Sequence, residues 1–244
     1  MGLLVSDYDG TFSTNERDIK INCYLIERYI MDGNYFLLSS GRPYDSLMRQ
    51  VLKYHIPYTH LASSDGNFLF DSNGRVLQVN RLSSRILNTV NDLFDPKLYD
   101  SIQFAYPKFN SSSYSSGNTL GSIAFVVRDD NLSSEFIRNY KTIKKEYPDY
   151  QYDIYGYNDI YYYMIRPNGI SKSTPIEYLR NFLDIPKKKI YTIGDNDNDY
   201  EMVRDYNGFM IGNNKRLEKV ALKKYDAVYE LVSDIKRKKV LKRW

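Results

Sequence analysis

Met1-Gly2-Leu3-Leu4-Val5-Ser6-Asp7-Tyr8-Asp9-Gly10-Thr11 opens the chain. Leu3, Leu4 and Val5 form a short apolar run that stops abruptly in acid, the pattern of a buried strand in a parallel sheet. Asp7 and Asp9 then stand at the carboxyl end of that strand, where open α/β sheets bind ligands. Two acids this close repel one another unless positive charge lies between them. A hard divalent cation with oxygen ligands meets that need. One acid is then available as a nucleophile and the other to move protons. Gly10 lets the backbone adopt a conformation that a side chain opposes. Taken alone, Asp7-x-Asp9 also reads as an Asx-rich turn, and the rest of the chain has to choose between the two.

Working outward, the strand is followed by a helix from Asn15, capped by Asn15 or Thr14. Ile19, Cys23, Ile26 and Ile30 fall on one face of it, and Gly33 ends it. Tyr35 to Ser39 is a second buried strand, ending in Ser39-Ser40-Gly41-Arg42-Pro43. A helix follows with Pro43 in its first turn and Leu47, Val51 and Leu52 as its apolar stripe. Thr59 to Ala62 is a third strand, and Ser72-Asn73-Gly74 marks a hairpin. Strand, helix, strand, helix, strand implies a right-handed parallel sheet. Near Asn80 the rhythm changes: helix Ser83 to Phe94, strands at 101–106 and 122–128, helix Ser133 to Tyr147, strands at 151–155 and 160–166. This is an α+β unit with an antiparallel sheet, expected over residues 80–166. The α/β pattern of residues 1–79 resumes at 167–244. There Thr174-Pro175-Ile176-Glu177 reads as a capped helix start, with Lys172 just before it. Strands Ile190 to Ile193 and Phe209 to Ile211 complete the sheet, and Lys187 to Lys189 read as a solvated loop.

The chain has 244 residues, 42% hydrophobic and 26% charged, with a net charge of +4. That length allows one large domain or two smaller ones. The charge is too small to argue for nucleic acid or membrane. One cysteine, Cys23, excludes an intrachain disulfide and fits a reducing compartment; it reads as a core residue. No apolar run approaches the roughly 20 residues that span a bilayer, and Leu3 to Val5 is too short for a signal peptide. Met1 to Ser6 also fits a myristoylation pattern, which the burial expected of this strand overrides. A cytoplasmic protein, monomeric or weakly homo-oligomeric, is expected. The basic tail, Lys236 to Lys239 with Lys242 and Arg243, reads as a solvated helix end.

Gly194-Asp195-Asn196-Asp197-Asn198-Asp199 alternates its acids as a calcium loop does, but Tyr200 and Tyr206 stand where that loop needs glycine and glutamate. The acids instead follow a buried strand, as Asp7 and Asp9 do. Four loops thus carry Asp7 with Asp9, Ser40, Lys172, and Asp195 with Asn198 and Asp199. This set, in this order, resembles the haloacid dehalogenase-type phosphatase superfamily. Asp7-Tyr8-Asp9-Gly10-Thr11 matches its first motif. Ser40-Gly41-Arg42-Pro43 resembles the second, Asn168-Gly169-Ile170-Ser171-Lys172 the third, and Gly194 to Asp199 with Met202 the fourth. The α+β insert between the second and third motifs is similar to the Cof-type and sucrose-phosphate-phosphatase-like branch. One departure is visible: Asp65-Gly66-Asn67 stands where many Cof-type members have Asn-Gly-Ala.

The resemblance implies a Rossmann-like parallel-sheet α/β core and a smaller α+β cap that selects substrate. It implies a Mg²⁺-dependent phosphomonoester hydrolase acting on a small phosphorylated metabolite, a sugar phosphate in the first instance. Asp7 is the implied nucleophile and Asp9 the acid–base residue, with Lys172 completing the catalytic set. Asp7, the Asp9 backbone carbonyl and Asp195 are the implied metal ligands. Ser40, Lys172 and Asn198 are implied to bind phosphoryl oxygens, with Gly10 and Gly41 also implied to bind substrate. Asp199 is implied to orient Lys172 or a metal-bound water. Arg42 is implied to orient the loop or reach substrate, and a structural ion pair is the competing reading. A phosphotransferase of the phosphomannomutase type and a catalytically silent binding protein are the competing readings.

Overall fold

The computed structural model describes residues 1–237. The chain divides into two compact units, Met1–Gln78 with the chain from Ser171, and Val79–Ile170.

The first unit begins with β1 (Leu3–Asp7), α1 (Glu16–Met31), β2 (Tyr35–Ser39), α2 (Tyr44–Tyr54), β3 (His60–Ser63) and the hairpin of β4 (Phe68–Asp71) and β5 (Val76–Val79). The second unit contains α3 (Ile86–Leu93), β6 (Ser101–Ala105), β7 (Asn110–Ser111), β8 (Ser122–Arg128), α4 (Ser134–Glu146), β9 (Tyr150–Tyr157) and β10 (Ile160–Pro167). The chain then returns to the first unit through α5 (Ser173–Phe182), β11 (Ile190–Gly194), α6 (Tyr200–Asp205), β12 (Asn207–Met210), α7 (Lys215–Glu218) and α8 (Val228–Lys236).

Seven strands form the first sheet, in the order β12-β11-β1-β2-β3-β4-β5. β1 pairs parallel to both β2 and β11, so the connections run outward in opposite directions on either side of β1. That reversal is the switch point of an open α/β sheet, where a crevice opens beyond the strand ends. All five residues of β1 are buried. Leu3, Val5, Leu37 and Ala62 pack on one side against Ile176, Leu179, Met202 and Val203. On the alternate positions, Phe36 meets Phe12 with ring centroids 5.8 Å apart. Burial on both faces is why these strands read as continuous apolar runs.

The second unit is an antiparallel sheet, β7-β6-β8-β10-β9. Its helices share one core with Phe104, Ile123, Phe125, Val127, Tyr163 and Ile165. Most of its tyrosines are structural. The Tyr152 hydroxyl donates to the Tyr147 carbonyl (2.9 Å), closing the end of α4, and that of Tyr140 donates to the Met164 carbonyl (2.9 Å).

Several local expectations shift. The buried face of α1 is Ile19, Asn22, Ile26 and Tyr29. The helix is rotated so that the Asn22 amide donates to the Phe12 carbonyl (2.9 Å), and Cys23 is only half-buried. Burial lifts the Cys23 thiol to about 11. Leu52 is 66% exposed because α2 buries a narrower stripe than its sequence offers. Pro43 caps α2 from outside. Residues 83–85 form tight turns before α3, and Ser111 pairs as part of β7. α5 starts at Ser173, so Thr174 is inside it and its hydroxyl accepts from the Ser171 N–H (3.1 Å). Lys187 to Lys189 are exposed, in a single 3₁₀ turn. In the tail, Lys236 pairs with Asp32 at 2.8 Å, and Lys238, Lys239, Lys242 and Arg243 lie outside the described residues.

Candidate active site

Every residue singled out for chemistry lies in the first unit, on loops that leave β1, β2, β3 and β11 or enter α5. Asp7 is the last residue of β1 and is 4% exposed. Its neighbour across the sheet is Ser39, which puts Ser40 beside it at the next strand end. After β11, Asp195 turns back toward Gly10, whose φ is +79°. A Cβ at Gly10 would collide with the Asp195 carboxylate, so glycine is required by both backbone angle and space.

Lys172 is the centre of the charge arrangement. It sits at the entry to α5, 1% exposed. Its ammonium is 2.6 Å from Asp7 Oδ1 and 2.7 Å from Asp199 Oδ1. Burial by itself disfavours its charge, but Asp7 and Asp199 outweigh that, with help from Asp65, and the net shift is upward. A lysine here would be unfavourable to the helix dipole; two carboxylates supply the compensation.

Asp199 has a holding role. Its Oδ2 accepts from the N–H groups of Asp195 and Asn196, both at 3.0 Å, while Oδ1 takes Lys172. Asn196 and Asp199 form a reciprocal capping box, which shapes the turn after β11 and presents Asp195. Of the alternating acids that resemble a calcium loop, Asp199 is thus part of a helix cap.

Asp7, Asp195 and Asp199 bring carboxylate oxygens within 4.8 Å of one another. With Asp199 engaged on both oxygens, Asp7 and Asp195 are the pair with the chemistry for a hard divalent cation. Burial raises the Asp7 carboxyl well above its usual range, with Lys172 opposing and Asp199 adding to the rise. Burial also raises Asp195, with the Thr11 hydrogen bond opposing and Asp199 adding. Two carboxylates this close repel one another and gain from a bound cation, so the donor set fits one. The Asp9 carboxylate is held elsewhere, which leaves its backbone carbonyl as the group that could join such a set.

Both Asp9 oxygens are gripped by Arg42, through Nε and Nη2, each at 2.7 Å. The guanidinium also lies over the Tyr8 ring at 5.4 Å, and its Nη1 donates to Ser46 at 3.3 Å. Arg42 thus forms an ion pair with Asp9, and a bidentate pair fixes orientation as well as charge. The Ser40 hydroxyl accepts from the Arg42 N–H at 3.1 Å, closing the turn after β2. Asn198 donates its side-chain N–H to Asp65 Oδ1 at 2.9 Å.

Thr11, not singled out from the sequence, is fully buried and donates to Asp195 Oδ1 at 2.6 Å. Its position in the first motif was the available signal; the bond to a residue 184 positions away was not.

A model of the haloacid dehalogenase-like hydrolases matches this chain over residues 4–106 and 97–226. The chain belongs to that family. Among curated proteins it is similar to a 5-amino-6-(5-phospho-D-ribitylamino)uracil phosphatase, YitU, from Bacillus subtilis (strain 168), 24% identical over 233 residues and 82% of each chain. Its fold is shared by a haloacid dehalogenase-like hydrolase from Bacteroides thetaiotaomicron, with TM-score 0.77, 17% identity, and 96% and 99% of the two chains covered. A HAD subclass IIB sugar phosphatase also shares the fold, with TM-score 0.69, 13% identity, and 99% and 100% coverage. In this haloacid dehalogenase-like hydrolase, Asp7, Ser40 and Asp195 thus follow the carboxyl ends of the parallel strands β1, β2 and β11, and Lys172 reaches Asp7 from the start of α5.

Proposed function

We propose that this hydrolase is a divalent-cation-dependent phosphatase of a small phosphorylated metabolite, working through an aspartyl-phosphate. The observation that carries the reading is the buried Asp7 at the switch point of the sheet, 2.6 Å from Lys172 and clustered with Asp195. A cation held by Asp7, Asp195 and the Asp9 carbonyl, Mg²⁺ by preference, would supply positive charge to the phosphoryl oxygens. Asp7 attacks phosphorus, the bond to the leaving oxygen breaks, and Asp9 gives that oxygen a proton. Water then attacks the aspartyl-phosphate and passes its proton to Asp9, releasing phosphate and restoring Asp7. Lys172, Ser40 and Asn198 balance and orient the phosphoryl oxygens. Since both Asp9 oxygens are engaged by Arg42, one must be freed before Asp9 can carry a proton.

A sugar or sugar-alcohol phosphate is the substrate class we favour. It is consistent with the named activities of the two phosphatases just described. In the second unit, α3 and α4 cover one face of the sheet; Tyr162 and Met164, half-buried, point to the other. We assign substrate choice to this unit. Intact Asp7, Asp9, Lys172 and Asp195 argue against a silent binding protein, and a mutase would need a second sugar acceptor.

The test is hydrolysis of p-nitrophenyl phosphate. Activity should vanish with chelator, return with Mg²⁺, and be absent in Asp7→Asn under all conditions. Full activity in metal-free protein would remove the cation from the proposal. A requirement for a sugar acceptor before any phosphoryl group leaves would favour the mutase.

A further inference from the structure

The departure at Asp65 has a structural counterpart. Ser64, Asp65 and Gly66 follow one another at φ of 52°, 53° and 88°. Two consecutive non-glycine residues in the left-handed region are unusual, and such strain is retained where the surroundings over-determine it. Here they do. The Ser64 N–H donates to the Arg42 carbonyl (2.9 Å) and that of Asp65 to the Ser40 carbonyl (3.1 Å). At Gly66, a Cβ would collide with the Ser171 carbonyl oxygen. The turn after β3 is therefore wedged between the second-motif loop and the residue preceding Lys172.

This turn aims a carboxylate. A Cβ at Gly41 would lie 3.1 Å from Asp65 Oδ1, and the same oxygen accepts the Asn198 amide at 2.9 Å. An ionised carboxylate only accepts hydrogen bonds, so it orients the Asn198 carboxamide with its NH₂ toward Asp65. An asparagine at position 65 offers both donor and acceptor and would let the Asn198 amide turn over, presenting its oxygen where a donor is needed.

Resting on the phosphatase reading, we infer that Asp65 is a positioning residue for substrate: it fixes the Asn198 amide so that its second N–H is presented to a phosphoryl oxygen. Removing a negative charge beside an anion site should tighten anion binding if charge alone mattered. A positioning role demands that it weaken.

Asp65→Asn is the variant of choice, because asparagine has nearly the same shape and tolerates left-handed backbone. It is compared with wild type, Asn198→Ala and the double variant. The readouts are kcat and KM for p-nitrophenyl phosphate and the inhibition constant of inorganic phosphate. We expect Asp65→Asn to raise KM and the phosphate inhibition constant together, each about tenfold, with kcat changed less than about threefold. In the Asn198→Ala background the same change should have almost no further effect, as coupling through one hydrogen bond requires. Unchanged or tighter phosphate binding in Asp65→Asn overturns the inference and leaves the phosphatase reading standing. An equal loss with and without Asn198 overturns it as well. Wild-type protein that neither hydrolyses p-nitrophenyl phosphate nor binds phosphate overturns both.

Discussion

At the residue scale, the proposed chemistry rests on two acids two positions apart that the fold treats differently. Asp7 is buried and paired with a lysine; Asp9 is half-exposed and paired with an arginine. The first environment suits a group that must meet phosphorus without competition from water. The second suits one that exchanges protons, provided Arg42 can let go. Asp9→Asn should therefore leave the nucleophile intact and lose acid–base help. For a sugar phosphate, whose alkoxide needs a proton to leave, we expect a fall of roughly 10²–10⁴-fold in kcat/KM. p-Nitrophenolate leaves without a proton, so the loss in the first step should be much smaller, as read from the single-turnover burst. Equal losses in that step for the two leaving groups would remove Asp9 from the acid role. Lys172 illustrates the converse: a charge buried between two carboxylates contributes little net stability, and its loss would leave buried acids without a partner.

At the element scale, short polar turns do most of the positioning. The capping box of Asn196 and Asp199 starts the turn that presents Asp195. Asn15 starts α1, its Oδ1 accepting from the Asp18 N–H at 3.0 Å while its amide donates to the Asp18 carboxylate at 2.7 Å. α1 lies far along the chain from Asp195 and contributes none of the proposed ligands, so its cap should affect stability without touching the chemistry. Asn15→Ala should cost about 1 kcal/mol, a drop in Tm of roughly 2–4 °C for a chain of this size. kcat/KM should hold at wild-type value below the transition. A fall in activity without a fall in Tm would mean that the loop from Asp9 to Asn15 transmits to the site.

On the scale of the whole molecule, chemistry and substrate choice are assigned to different units. All of the proposed catalytic, phosphate-binding and cation-binding residues fall in the first unit, and among the described residues its core cluster around Leu3, Val5 and Leu37 takes none from Val79–Ile170. Replacing that segment by a short Gly/Ser linker should leave Asp7, Ser40, Lys172 and Asp195 on their loops. If the shortened protein folds, as circular dichroism and cooperative melting would show, it should still hydrolyse p-nitrophenyl phosphate. The ratio of kcat/KM between the best and poorest sugar phosphates should collapse toward unity. A folded variant that keeps the ratio would move substrate choice to the core loops, with Asp65 and Arg42 the first positions to change. Among the described residues no helix is long and apolar enough to cross a membrane.

The alternation of apolar runs with amphipathic segments was enough to read a parallel α/β sheet interrupted by an α+β unit, because period and burial are written locally. The order of the acidic, hydroxyl and lysine loops was enough to read the family. Orientation was not legible in this way. The buried face of α1 turned on one amide, Asn22, meeting the carbonyl of Phe12. The partners of Arg42 and Asn198 lie 33 and 133 positions away, and Thr11 meets Asp195 only when β1 and β11 become neighbours. Side-chain pairing across a sheet depends on distances that only the closed fold creates. A motif can therefore name the residues of this site, but which of them hold one another is settled by tertiary structure.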